Sequence, residues 1–535
     1  MQTGITSTGD RPAAAAGGEG CVVALVGAGV FAHNVHKVVT TAGCTLACVV
    51  DEFRTGEHLG APVFRACELP QDQLSRVDKF LVAISMPEHR DAAVARLLER
   101  GVPRSAVFPV DDDATLPMLC LVLAEHGDEA LAWLRSERCT SMYDLERRFY
   151  GAGWDQALAG LDPNRKTIAL CYYGRGGGFR RHLLGLIPRL RESYNLLALM
   201  DERLPGEPAG QVPELYMSPG TATGFDQADL AITAHFIPCS PDHLPKVNFL
   251  HTSFDFILEP EWLIARFDAG DPHYVFASTR ATFDWLDGLA RRGGFSHRLC
   301  LIPGGYTRLD DNLRHAQVYQ GPVDSLVYAP TLSLNAVRNH ELTYSMPHAV
   351  AMIEALLDAF PDRKVIFRPH PNDLQLIRAG RDDALARPFI ELLSLCDSHS
   401  RCRLDDSGTF YMDSYNASAV MISDTSSTAY TYALSTLRPV VFYSPHDDQV
   451  VAAMGSDSHF IRDRGRIGAV ARDAVELVGQ VRAMLDGADQ WRDRIASYRD
   501  EVCFNLGRAE EYFVEHLEDI LAARPPAGWR CFNWS

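Results

Sequence analysis

At 535 residues, with 47% hydrophobic and 22% charged positions, the chain is long enough for three or four domains that each bury a core. A formal net charge of −18 excludes a sequence-independent grip on nucleic acid, which needs many lysines and arginines along the phosphates. Any anionic ligand must therefore meet a local basic pocket. The 13 cysteines lack a CxxC pair or neighbouring zinc ligands, so they read as reduced thiols, no metal site is expected, and a reducing, cytoplasmic compartment follows. No run approaches the roughly 18 apolar residues of a membrane span, which leaves open only peripheral contact with the inner face of the cell membrane.

Residues 1–20, rich in Ala, Gly and Thr, read as a flexible tail. Residues 21–112 open with an apolar strand, a glycine turn and a helix, and a second strand ends at Asp51. Gly27-Ala28-Gly29-Val30-Phe31-Ala32 matches GxGxxA, and Asp51 stands where a ribose contact is expected. The segment is a small Rossmann-like domain that either binds a nucleotide or sugar nucleotide through Gly27, Gly29 and Asp51, or keeps the fold without a ligand. Residues 113–160 read as a helical connector.

Strand and helix patterns then alternate through residues 161–320 and again through 321–466, the rhythm of parallel sheets covered by helices. The fold class is α/β, with the small domain followed by two Rossmann-like halves and a cleft at the carboxyl ends of their strands. In the first half, Gly174 to Gly178 with Arg175, Arg180 and Arg181 form a glycine-rich turn without the GK[ST] of a P-loop. Gly176, Gly177 and Arg180 are candidate acceptor contacts there. His251, at the end of a strand, reads equally as a base for an acceptor hydroxyl or as a core histidine near Asp255. Gly304 to Asp310 form a hinge in which Arg308 serves a ligand or pairs with Asp310.

The second half carries the sharper signals. SLVYAPT ends at Thr331, and KVIFRPHP presents Arg368 as a fixed charge and His370 as a group that holds or passes a proton. AVMISDTSS ends a strand in Asp424, Ser426 and Ser427 just before a helix, a junction that aims backbone N–H groups at an anion. The same residues are also ordinary helix caps. Residues 467–535 read as C-terminal helices, and the aromatic end from Trp529 to Trp534 either meets a membrane or packs on the body.

Taken together, YAPT, RPHP, SDTSS, RPVVFY and GGYTRLD resemble the CDP-glycerol glycerophosphotransferase family of teichoic-acid and capsule synthesis, over roughly residues 165 to 500. The resemblance implies a GT-B fold with the nucleotide on the C-terminal half and a catalytic histidine in each half. Carried over by position, His251 is the base, His370 steadies the donor phosphate, and Ser426 and Ser427 contact the diphosphate. Two departures stand out: Leu250 and Thr252 flank His251 where the family has Trp and Gly, and Thr431 stands where the family commonly has Asp. The N-terminal segment resembles the sugar-nucleotide-binding domain of bacterial sugar O- and N-acetyltransferases, without the hexapeptide repeats that follow it there.

The reading implied is a transferase moving a polyol-phosphate or glycosyl unit from a CDP-linked or other nucleotide donor to a glycan or polyol-phosphate acceptor. It needs no tightly bound cofactor. Three rivals are a nucleotide-sugar glycosyltransferase, an NAD-dependent redox enzyme and an inactive nucleotide-binding protein. The oligomeric state is not legible.

Overall fold

Short aliphatic and β-branched runs bounded by glycine or polar turns set the strands, and the central ones, such as Lys79–Ala83, Thr167–Tyr172 and Ser325–Tyr328, are buried along their whole length. The computed structural model describes residues 21–84, 86–111, 115–173, 180–203, 212–236, 241, 243–250, 260–334, 345–408, 410–456 and 458–534. The chain divides into two units. One comprises the chain to Ala159 with Met200–Arg203 and Leu215–Gly224, and the other Gly160–Leu199, Leu204–Glu214 and Phe225–Ser535.

The first unit holds β1 (Val22–Val26), β2 (Thr45–Val50), β3 (Gly56–His58), β4 (Ala61–Phe64), β5 (Lys79–Ala83) and β6 (Val107–Val110). They form one sheet in the order β3-β4-β2-β1-β5-β6, parallel except for β3. The chain leaves β1 in one direction for β2 and β4 and returns on the other side for β5 and β6. The switch point between β1 and β5 opens the crevice where such sheets take ligands. The helices Leu116–Arg135 and Met142–Ala159 are not a free connector. Leu116, Leu119, Val122, Leu123 and Leu145 share one core with Val23, Leu25 and Phe31 of the sheet, because the apolar face of the first helix has to be covered. Buried Lys79 ties them together, its ammonium donating to the carbonyls of Ser105, Ser136 and Cys139.

The second unit carries β7 (Thr167–Tyr172), β8 (Asn195–Met200) as far as Leu199, β10 (Leu230–Thr233), β11 (Lys246–Phe249), β12 (His273–Phe276) and β13 (Leu299–Ile302) in its first half, while Leu215 and Tyr216 of β9 (Glu214–Tyr216) fall in the first unit. Its second half holds β14 (Ser325–Tyr328), β15 (Lys364–Phe367), β16 (Cys402–Leu404), β17 (Ser418–Ser423), β18 (Val440–Tyr443) and β19 (Gly468–Ala471). The second-half sheet is parallel throughout, in the order β16-β15-β14-β17-β18-β19, with its switch point between β14 and β17. In the first half the order includes β13-β12-β11-β10-β7-β8, with the switch point between β7 and β10. A small Rossmann-like sheet followed in the chain by two tandem Rossmann-like halves is the α/β fold class expected.

Three expectations change. β19 belongs to the second-half sheet, although its GAVA sequence carries little strand signal, and β20 (Arg530–Phe532) pairs antiparallel with β13, so the C-terminal segment is not all helical. That pairing sets Cys300 opposite Cys531, and the two form a disulfide, which corrects the expectation of reduced thiols at this pair. The aromatic end packs on the body: the Trp529 indole donates to the Tyr512 hydroxyl at 3.0 Å, and Tyr274 contacts the rings of both Trp529 and Trp534. Just upstream, Phe513 sits against Phe249 and Phe276 of the first-half sheet. Among the described residues no helix is long and apolar enough to cross a membrane.

Candidate functional site: an arginine-rich cleft

β14 and β15 end side by side, and the Arg368 N–H donates to the Tyr328 carbonyl at 2.8 Å, which fixes where the Arg368 side chain starts. Only 8% exposed, the Arg368 guanidinium donates to Asp405 at 2.8 Å, to Ser407 Oγ at 3.2 Å and to the Gly408 carbonyl. A buried cation is tolerated only when paired in this way. Burial pushes the Asp405 carboxyl up, but Arg368 and the Ser407 hydrogen bonds outweigh it and hold the group below its ordinary value, as an anion.

His370 caps the helix Pro371–Arg378, its Nδ1 accepting from the Asn372 N–H at 3.3 Å. Burial, followed by the charge of Arg368, lowers its pKa to about 4, so the ring is neutral near pH 7. With Nδ1 an acceptor, the neutral ring carries its proton on Nε2. His370 is therefore a hydrogen-bond donor toward the cleft.

β17 ends at Ser423, whose hydroxyl donates to the Ala329 carbonyl at 2.7 Å, and the helix Thr428–Thr436 begins after Ser427. That helix has no acidic residue in its first turn, and Ser427 makes no side-chain cap bond to it, so the positive end of the helix is left for the cleft. Ser426 Oγ accepts from the Thr428 N–H at 3.4 Å.

From the first half come Arg308, Tyr306 and the 3-10 turn Arg180–His182. Buried Arg308 donates to the Tyr411 hydroxyl at 3.0 Å and to Asp311 at 2.9 Å, so its carboxylate partner is Asp311. Asp310 instead accepts from the Ala509 N–H at 2.7 Å and anchors the helix Ala509–Glu515. The Tyr411 ring lies between two guanidiniums, Arg308 at 4.8 Å and Arg368 at 5.4 Å from its centroid.

These parts enclose a cavity of about 260 Å³ at the ends of β14, β15 and β17, lined among others by Arg181, His182, Tyr306, Arg308, Arg368, His370, Ser426, Ser427 and Thr431. Three guanidiniums and the N-terminus of the helix Thr428–Thr436 face it, and no carboxylate is among the described residues of its wall. In a chain of net charge −18, this is a local basic pocket suited to a phosphate or diphosphate.

The structure brings Arg308, Arg368, His370, Ser426 and Ser427 together and leaves Asp424 and Thr331 out of the wall. Asp424 was expected at the phosphate. Instead its buried carboxylate accepts from the Thr331 N–H at 2.8 Å, the Ser345 N–H at 3.0 Å and the Ser345 hydroxyl at 2.9 Å. It staples the two loops that carry Thr331 and Ser345. His251, Gly176 and Gly177 lie outside the described residues, as does the side chain of Arg180. Sequence reasoning missed His182, Tyr306 and Tyr411. His182 stands just beyond the arginines of the glycine-rich turn, so a signal was present. Tyr411 follows an irregular loop and had none.

In the first unit, Gly27, Gly29 and Asp51 line a second cavity of about 620 Å³ at the β1–β5 switch point. Gly27 has φ +103°, and a Cβ there would lie 2.9 Å from the Ala83 carbonyl oxygen, so the turn needs glycine. Asp51 Oδ1 accepts from the N–H groups of Phe53 and Arg54, each at 2.9 Å, and this holds the tip of β2 at the cavity wall.

No protein-family model matches the chain, and no curated protein matches it. Among solved structures the chain is similar to the wall teichoic acid polymerase TagF, with 12% identity over 71% of this chain and 94% of that one and a TM-score of 0.47. It is similar also to a putative UDP-N-acetylglucosamine 2-epimerase from Listeria monocytogenes, with 11% identity over 68% of this chain and 98% of that one and a TM-score of 0.45. A third similarity is to sucrose-phosphate synthase from Thermosynechococcus elongatus, with 13% identity over 67% of this chain and all of that one (100%) and a TM-score of 0.39.

Proposed function

We propose that the second unit is a transferase that holds a nucleotide-activated donor, CDP-linked by preference, with its diphosphate in the arginine-rich cavity, and passes the activated unit to a hydroxyl of a glycan or polyol-phosphate acceptor. The observation that carries this reading is the convergence of Arg308, Arg368, neutral His370 and the N-terminus of the helix Thr428–Thr436 on one cavity whose described wall has no carboxylate. Oriented donors of this kind act on charge that builds on a leaving phosphate. The motif resemblance to the CDP-glycerol glycerophosphotransferases supplies the choice of cytidine and of a polyol-phosphate unit. Attack is then at phosphorus, with a nucleoside monophosphate leaving. Gly176, Gly177 and Arg180 are proposed for the acceptor, and the small unit is proposed to take a nucleotide or sugar nucleotide at Gly27, Gly29 and Asp51.

A second reading, a nucleotide-sugar glycosyltransferase with attack at the anomeric carbon, is favoured by Thr431. This residue puts a neutral hydroxyl in the cavity wall where the resembled family commonly has a carboxylate.

The test is a thermal-shift and titration series with CMP, CDP, UDP, CDP-glycerol and several nucleotide sugars on the wild type, on Ser426→Ala combined with Ser427→Ala, and on Gly29→Trp. Cytidine binding lost in the serine double variant supports the reading. Binding that survives there and disappears only in Gly29→Trp overturns it.

A further inference from the structure

Two histidines line the described wall of the cleft, one from each half: His370 from the second half and His182 from the first. His370 is committed as a donor through Nε2, because its Nδ1 accepts from Asn372, so it is not poised to accept a proton on the face it offers. His182 ends the 3-10 turn that follows β7, the strand at the first-half switch point. Its backbone is fixed from the opposite side of that half: the Thr307 hydroxyl donates to the His182 carbonyl at 2.8 Å. Its ring lies 5.7 Å from that of Tyr306, centroid to centroid. The charged and titratable groups that share the cavity with it are Arg181 on its own turn, Tyr306 and Arg308 after β13, and Arg368, His370, Tyr411 and Tyr415 from the second half.

Resting on the transferase reading above, we infer that His182 is the general base of the cleft, the group that removes the proton from the attacking hydroxyl. The acceptor O–H bond breaks, its proton passes to a ring nitrogen of His182, and the new bond forms from that oxygen to phosphorus of the donor. The bond from phosphorus to the bridging oxygen breaks with its electron pair left on the nucleotide phosphate, opposite Arg368, the His370 Nε2–H and the helix end at Ser427. The imidazolium of His182 then returns its proton to solvent. The reaction needs no further reactant.

The experiment uses the full chain and CDP-glycerol and UDP-glucose as probes, following release of CMP or UDP with water or added glycerol as acceptor. His182→Asn and His182→Gln are compared with His251→Asn and the wild type, with CDP affinity measured in each. Loss of a positioned base is expected to slow turnover by about 10²- to 10⁴-fold. Both His182 variants are expected to keep CDP affinity within about twofold, to lose the acid limb of the wild-type pH–rate profile, and to regain part of the rate with added imidazole. An active wild type whose His182 variants keep more than about a third of its turnover, or lose CDP affinity in step with turnover, overturns the assignment and leaves the transferase reading standing. A wild type that binds CDP but turns over neither probe overturns both.

Discussion

Arg368 and Asp405 form an ion pair at 2.8 Å with side chains only 8% and 6% exposed, and this pair seats the guanidinium that closes the floor of the cleft. The two come from the ends of neighbouring strands, β15 and β16, so the pairing of those strands in the sheet is what brings them together. Removing one partner of such a pair leaves a buried charge alone, a loss of about 3 to 5 kcal/mol. Asp405→Asn is therefore expected to lower the urea midpoint of the second unit and, because Arg368 loses its seat, to weaken CDP binding as well. Unchanged stability with unchanged binding, in denaturation and titration run side by side, counts against this role for the pair.

Much of this geometry was legible because the strands announce themselves. SLVY and the Val365–Phe367 part of KVIF are short buried runs, each followed two residues later by a proline, Pro330 or Pro369, and the hydroxyl cluster after β17 marks a helix start. Strand ends in a parallel sheet share one edge, so Arg368, His370, Ser426 and Ser427 could be grouped before any contact was known. What was not legible has a common cause in loop direction. Asp424 lies in the right loop, but sequence gives no sign of whether its carboxylate faces the cavity or the Thr331 and Ser345 backbone. Tyr411 reaches the site from the loop after a three-residue strand, Cys402–Leu404, that carries no periodic signal. Cys300 and Cys531 become neighbours only through the return of β20 across the whole second unit.

The His370 cap makes stability depend on pH. Its folded pKa, about 4, lies below the ordinary histidine value of 6.5, so between those values the unfolded chain binds a proton that the folded chain refuses. Stability is therefore present above pH 6.5 and falls as pH drops toward 4. His273 and His235, lowered by burial to about 3 and about 4, act in the same direction, so only a difference isolates His370. Thermal midpoints from pH 4.5 to 7.5 are expected to fall less steeply with acid in His370→Asn, whose amide oxygen still caps the helix. Identical slopes in variant and wild type would remove the cap from the account.

Two glycines of the N-terminal turn are expected to respond oppositely to one methyl group. Gly27 sits at φ +103°, with the Ala83 carbonyl oxygen 2.9 Å from where a Cβ would lie, whereas Gly29 has nothing within 4 Å and sits at φ −82°. Gly27→Ala should cost the first unit on the order of 1–3 kcal/mol in strain, while Gly29→Ala should leave its unfolding midpoint nearly unchanged. Circular dichroism melts of the two variants decide it, and equal melting would mean the turn tolerates a side chain at both places.

Glu146 gives the N-terminal unit its own pH signature. The carboxyl is fully buried (0% exposed) on the helix Met142–Ala159, and Oε1 accepts from the Ser218 N–H at 3.0 Å. Burial raises its pKa to about 7, and the hydrogen bonds from Ser218 and Thr221 only partly offset that. An acid with a raised folded pKa keeps its proton in the folded chain while the unfolded chain has already lost it, so stability falls as pH rises from about 4.5 through about 7. A glutamine in its place is neutral at every pH and still accepts from Ser218. Glu146→Gln should therefore match the wild type near pH 4 and exceed it at pH 8 by up to about 3 kcal/mol. Denaturant titrations at those two pH values measure the difference directly. A variant less stable than the wild type at pH 8 would mean that the ionised carboxylate is what holds the helix to Ser218.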